Sequence, residues 1–202
     1  GIGTNGGSFA INVRENNWLG QGKAVGVEIE LDSESLAGTL SYRDPNYDFL
    51  GNSLNYSISS EKNDKPDQGY ENSIISGSIG TSFEQYKDVI ASLGLSISHD
   101  DLKTDSTASD SIKKQSGTFD EVAANYGFTF DKRNRAFMPT SGSIISFGQS
   151  VPIYADKSFI ANNFRSSFYN QINENVVGGA KIYLSTVNAL GSDDVRLSKR
   201  KG

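Results

Sequence analysis

The stretch NYGFTFDKRNRAFMPTSGSIISFGQ, Asn125 to Gln149, decides the fold. Its first part alternates: Tyr126, Phe128 and Phe130 fall between Asn125, Gly127, Thr129 and Asp131. Successive side chains of a strand point to opposite faces, so this is a strand with one apolar and one polar side. Asp131 shares the polar side with Asn125, Gly127 and Thr129. A charged, irregular run follows and ends in Pro139-Thr140-Ser141-Gly142. Pro fixes φ and Gly tolerates positive φ, so PTSG is expected to be a tight turn. Arg133 and Arg135 then stand at the end of the strand. A noisier strand, 143–151, leads out.

The same alternation recurs on either side. Phe9, Ile11 and Val13 alternate with polar or small neighbours, as do Val25, Val27, Ile29 and Leu31. Leu54, Tyr56 and Ile58 follow, then Val89, Ala91, Leu93, Leu95 and Ile97. Segments 158–170 and 176–187 repeat it less cleanly. The polar sides are mostly Ser, Asn, Gly and Thr. A sheet facing bulk water tends to carry Lys and Glu there, whereas small polar side chains suit a crowded, wet interior. Aromatic residues (Trp18, Tyr42, Phe83 and Phe137) lie toward strand ends, where a barrel places its interfacial girdles. Connections sort into a compact set (17–22, 44–52, 84–88, 134–142 and 172–175) and a long polar set (60–72 and 99–121, with 188–202 at the end). Short turns at one end and long loops at the other describe an antiparallel transmembrane β-barrel, with a soluble β-sandwich as the competing fold.

Composition agrees. Hydrophobic residues make up 36% of 202, Gly not counted, which is low beside the roughly 45–50% that a typical globular chain reaches with Gly included, yet the chain holds 11 Phe and 9 Tyr. A barrel needs only one apolar side per strand. The net charge of −5 argues against nucleic acid. Without cysteine there is no disulfide, thiolate metal site or cysteine nucleophile, and one histidine is too few for an ordinary zinc site. His99, beside Asp100 and Asp101, is read as a surface residue opening a polar loop, because no Gly-x-Ser-x-Gly elbow accompanies it. Asn63, Asp64 and Asp67 lack the calcium-loop spacing and are read as solvated. Gly1, Gly3 and Gly6 spell GxGxxG, but an alternating strand and not a helix follows, so a hairpin at Asn5-Gly6 is expected in place of a nucleotide site. No cofactor, metal or catalytic residue is expected. No apolar run is long enough for a membrane helix. No leader is legible at Gly1, and the chain is expected to be part of a longer protein.

Three segments resemble the BamA family of outer-membrane β-barrel assembly proteins, within the bacterial surface antigen superfamily. NNWLGQGKAVGVEIEL (Asn16 to Leu31) is similar to its second and third strands, with Trp18, Gly20 and Gly22 in the turn. RDPNYDFLGNSL (Arg43 to Leu54) is similar to the next periplasmic turn, through Pro45 and Tyr47. The opening stretch resembles a family strand–turn–strand, through Arg135, Pro139 and Gly142. The resemblance implies an incomplete barrel over 1–202, about eleven of sixteen strands and the N-terminal two-thirds, with the POTRA domains and last strands outside the chain. Val195 and Arg196 match only the first two letters of the family's sixth-loop signature. It further implies a Gram-negative outer membrane, no enzymatic activity, and a role in folding and inserting barrel proteins through a lateral seam to which Gly1, Ile2, Gly3 and Thr4 would belong. Partners would be outer-membrane lipids, nascent outer-membrane β-barrel proteins and, through the POTRA domains, assembly-machine lipoproteins. A TamA-like translocation and assembly barrel shares the architecture and these motifs, a two-partner secretion transporter shares the superfamily and moves an unfolded chain through its lumen, and a plain porin or structural barrel would explain the alternation but not the motifs.

Overall fold

The computed structural model describes residues 2–3 and 6–190. Among the described residues two short strands, β1 (Ile2–Gly3) and β2 (Gly6–Gly7), pair only with each other. Then follow β3 (Phe9–Trp18), β4 (Lys23–Leu31), β5 (Ser35–Asp44), β6 (Ser53–Lys65), β7 (Tyr70–Tyr86), β8 (Val89–Thr104), β9 (Gly117–Asp131), β10 (Gly142–Ala155), β11 (Phe159–Asn173) and β12 (Val176–Ala189). These ten form one antiparallel sheet in strict chain order, each strand paired with its sequence neighbours. The sequence count of about eleven thus meets ten strands in the sheet. The sheet is not closed: β3 and β12 each pair on one side only.

Register assigns the faces. Leu95 lies opposite Ile79 on β7 and Ala124 on β9, while Ser96 lies opposite Ser78 and Ala123. Followed across all ten strands, one face carries the alternating apolar residues and the other the small polar ones. Residues of the polar face from Arg14 on β3 to Tyr183 on β12 line a single cavity of about 990 Å³. The sheet therefore curls, polar face inward, as a barrel wall does. The apolar residues point out and stay exposed: Leu93, Leu95 and Ile97 keep 53%, 49% and 60% of their surface. An exposed, largely apolar face of this extent needs a non-aqueous surrounding.

The strands outrun their alternation. The expected loop 60–72 is mostly ladder: β6 continues to Lys65, β7 resumes at Tyr70, and a short 3-10 turn (Pro66–Gln68) joins them. The expected loop 99–121 shrinks to 105–116, with one helical turn, α1 (Asp110–Lys113), inside it. His99 consequently does not open a loop. It sits within β8, half exposed, with Nδ1 2.6 Å from Asp120 Oδ1 on β9. Beyond the apolar belt both strand faces turn polar, so the hydrophobic period vanishes while the backbone ladder goes on.

PTSG is not a tight turn. The chain reverses over 132–141 around Asn134, whose Oδ1 accepts from the Thr140 and Ser141 amides and whose Nδ2 donates to Thr140 Oγ1 at 2.8 Å. Gly142 does take a positive φ, +95°, as the first residue of β10. Gly3 pairs with Gly6, and the hairpin expected at Asn5-Gly6 falls on Asn5, which lies outside the described residues.

Candidate functional site

The concave face is built from residues that take little room. Ser57 and Ser78 share a hydrogen bond of 2.7 Å across β6 and β7, as do Ser59 and Ser76; Ser53 and Ser82 meet at 2.5 Å. Asn125 Nδ2 donates to Ser96 Oγ and Thr129 Oγ1 to Ser146 Oγ. These bonds satisfy hydroxyls that the curl crowds together. Two glycine pairs sit in the same surface: Gly80 faces Gly94, and Gly127 faces Gly148. A Cβ on Gly94 would lie 2.8 Å from the Ile79 carbonyl oxygen, and one on Gly127 2.8 Å from that of Phe147. Neighbouring backbones come closer here than any side chain allows.

Charge divides this face along the strands. Toward the short turns stand Arg14, Arg43 and Arg165, all lining the large cavity; Arg165 lies 5.5 Å from the centre of the Tyr183 ring. Toward the long connections the same face carries Glu28, Glu30, Glu61, Asp100 and Glu121. The interior thus gathers arginines, with some carboxylates, toward the short turns and mainly carboxylates toward the long connections. A second cavity, about 470 Å³, opens at the turn end between Arg43, Glu84, Asp88, Asp131 and Arg133. Asp131 therefore faces inward, and it holds Arg133 in a two-pronged pair, Nε to Oδ1 at 2.9 Å and Nη2 to Oδ2 at 2.7 Å.

The convex face forms a belt. On β8 the outward residues run from Val89 to Ile97. At ~3.3 Å per residue that is about 26 Å along the strand, or about 20 Å along a barrel axis tilted by ~40°, close to the ~25 Å apolar band of outer-membrane barrels. Trp18, Tyr42 and Phe83 lie at the turn end of their strands, and the Tyr42 and Tyr56 rings stand 6.0 Å apart. Phe137 is not on a strand; it tips the 132–141 connection and is 81% exposed.

The Omp85 superfamily domain matches residues 17–200, nearly the whole sheet. This chain belongs to the Omp85 superfamily. Its fold matches the crystal structure of BamA from Haemophilus ducreyi lacking POTRA domains 1-3, with a TM-score of 0.75 over 95% of this chain at 21% identity. That likeness establishes the fold. This chain spans 40% of the length of that one.

Within the Omp85 wall the turn residues hold shape through specific bonds. Leu19, Gly20 and Gly22 all adopt positive φ; Gly20 N donates to Asn17 O, and Gly22 N to Asn17 Oδ1 at 2.7 Å. Pro45 opens the next turn, closed by Tyr47 N to Asn52 O and by Asp48, which accepts from the Leu50 and Asn52 amides and from Asn52 Nδ2. Arg135 Nε donates to Met138 O at 2.7 Å, fixing the tip before Pro139. Of the seam residues, Gly1 and Thr4 lie outside the described residues, while Ile2 and Gly3 form β1, apart from the main sheet. Val195 and Arg196 also lie outside. Sequence reasoning missed the inward arginines Arg14, Arg43 and Arg165. Their signal was present: each falls on the polar side of an alternating strand. Among the described residues no group of His, Asp and Glu is placed to hold a metal.

Proposed function

We propose that this Omp85 chain forms wall strands of an outer-membrane protein assembly factor, which folds and inserts β-barrel proteins into the outer membrane of a Gram-negative bacterium. The observation that carries the reading is the two-sided sheet in a chain of this family: an apolar belt outside and a small-residue polar face inside. A sheet edge in hydrocarbon leaves N–H and C=O groups unpaired at several kcal/mol each. A weakly closed seam therefore offers a template to an incoming strand, which adds by backbone hydrogen bonding. In this reading Gly1, Ile2, Gly3 and Thr4 belong to the seam strand, and no covalent chemistry is needed. Assembly-machine lipoproteins would dock on POTRA domains. The test is a disulfide between Gly3→Cys and the last strand of the full protein. Locking the seam should stop assembly of new barrels and reduction should restore it; assembly that continues with the seam locked refutes the gate.

One observation favours a second reading. The polar cavity with Arg14, Arg43 and Arg165 suits passage of an unfolded chain, as in a two-partner secretion or TamA-like barrel. Photo-crosslinkers separate the two. Substrate captured at position 3 supports seam insertion; substrate captured at position 165 and not at 3 supports passage through the lumen.

A further inference from the structure

Two neighbouring turns at the short-turn rim combine features that solvent alone does not explain. The first, after β7, presents Tyr86, 70% exposed, and Lys87. The second is the 132–141 connection, with Phe137 and Met138 at 81% and 68% exposure. They abut: Asp131 N donates to Asp88 O at 3.0 Å, and Lys132 Nζ lies 3.7 Å from Asp88 Oδ2. Lys132 also stands 5.5 Å from the centre of the Phe130 ring, the last outward aromatic of β9. It therefore lies on the convex side, just below the apolar belt. Met138 takes φ +47°, a strained value for a side chain of its size, and its carbonyl accepts from Arg135 Nε.

We propose that this rim binds the phosphodiester headgroup of an anionic phospholipid in the inner leaflet, with Lys87, Lys132 and Arg135 on the phosphate and Tyr86, Phe137 and Met138 against the acyl boundary. The inference rests on the membrane reading above and deepens it. Two arguments select lipid as the occupant. Tyr86 lies opposite Val89, the turn-end outward residue of β8, so its ring continues the belt that already meets hydrocarbon. The charge is complementary: Asp88 offsets Lys132 and Asp131 offsets Arg133, while Lys87 and Arg135 have no carboxylate partner in an ion pair among the described residues. Cations near a membrane surface each enrich anionic lipid severalfold, and salt screens the effect.

The test uses the full-length protein in phosphatidylcholine vesicles, with a bimane on Phe137→Cys or, separately, on Leu95→Cys in the belt. Quenching by a small fraction of nitroxide-labelled phosphatidylglycerol is compared with the same fraction of nitroxide-labelled phosphatidylcholine. The label at 137 should prefer phosphatidylglycerol about fivefold, and the label at 95 should be quenched equally by both. Lys87→Gln/Lys132→Gln, which leaves the Arg135–Met138 bond in place, should lower the preference, and adding Arg135→Gln should abolish it. Equal quenching at 137 with normal quenching at 95 overturns the headgroup site and leaves the membrane reading standing. An unquenched 137 beside a quenched 95, as a covering protein would give, also overturns it. No quenching at either position overturns both.

Discussion

Replacing Gly94 or Gly127 by alanine probes the curl of the wall. Each new Cβ would meet a neighbouring strand's carbonyl oxygen at 2.8 Å, whereas ordinary contact begins at 3.4 Å. The obstacle is backbone in both cases, the Ile79 oxygen for Gly94 and the Phe147 oxygen for Gly127, so no rotamer change relieves it. The strands must part by about 0.6 Å, which stretches a ladder bond of ~2.9 Å to the limit of a hydrogen bond. Losing one or two such bonds at ~1 kcal/mol each, with some overpacking, destabilises by about 1–3 kcal/mol. The lower backbone entropy of the unfolded alanine chain returns ~0.5–1 kcal/mol, leaving a net loss of about 1–2 kcal/mol. Gly38 is the internal control: it lies within β5, and a Cβ there meets nothing within 4 Å. Urea unfolding of the lipid-folded protein, followed by intrinsic fluorescence, measures all three. Gly38→Ala should be neutral or stabilising. If Gly94→Ala and Gly127→Ala behave like Gly38→Ala, the close approach of β7 to β8 and of β9 to β10 is not what shapes the wall.

Gly142→Ala should cost more, about 2–3 kcal/mol, because φ is +95° and the new methyl would overlap the Lys132 carbonyl; thermal unfolding checks it. Arg133→Lys keeps the charge but loses the fork on Asp131 and the Nη1 bond to Ala136 O, so about 0.5–1.5 kcal/mol of stability should go, and a double-mutant cycle with Asp131→Asn should show the coupling. Asp48 titrates low: burial pushes its carboxyl up, but the Asn52 and Leu50 hydrogen bonds to the ionised form outweigh that. The ordering of the 45–52 turn is therefore fully present above the ordinary aspartate range and is lost as pH falls through the lower folded value. Amide shifts of Leu50 and Asn52 should follow this titration, and Asp48→Asn should remove it.

The sequence shows the wall best where it meets hydrocarbon. Val89 to Ile97 and Tyr126 to Phe130 alternate cleanly because one face must be apolar. On β5 and β7 the outward row is broken by Gly38 and Gly77, and the period blurs although the ladder does not. On β6 past Ile58, both faces lie in an aqueous layer, so Ser60 to Lys65 looks like loop yet pairs residue for residue with β7. The 132–141 connection was misread for a different reason. Pro139 and Gly142 suggest a local turn, but the organising group is the Asn134 amide, which reaches Thr140 and Ser141 six and seven residues on. The inward arginines were visible as polar-side residues, but only the sheet register shows that they gather at one mouth of the lumen.

The central claim is that convex residues face lipid and concave ones face a water-filled interior. The chain has no cysteine, so single cysteines from Ala91 to Ser98, Gly94 left out because a Cβ there meets the Ile79 carbonyl, report each position cleanly. In lipid vesicles a membrane-impermeant maleimide should label positions 92, 96 and 98, while 91, 93, 95 and 97 stay unlabelled and are quenched by nitroxide lipid. Uniform labelling along β8, or labelling of the apolar series, would contradict the account.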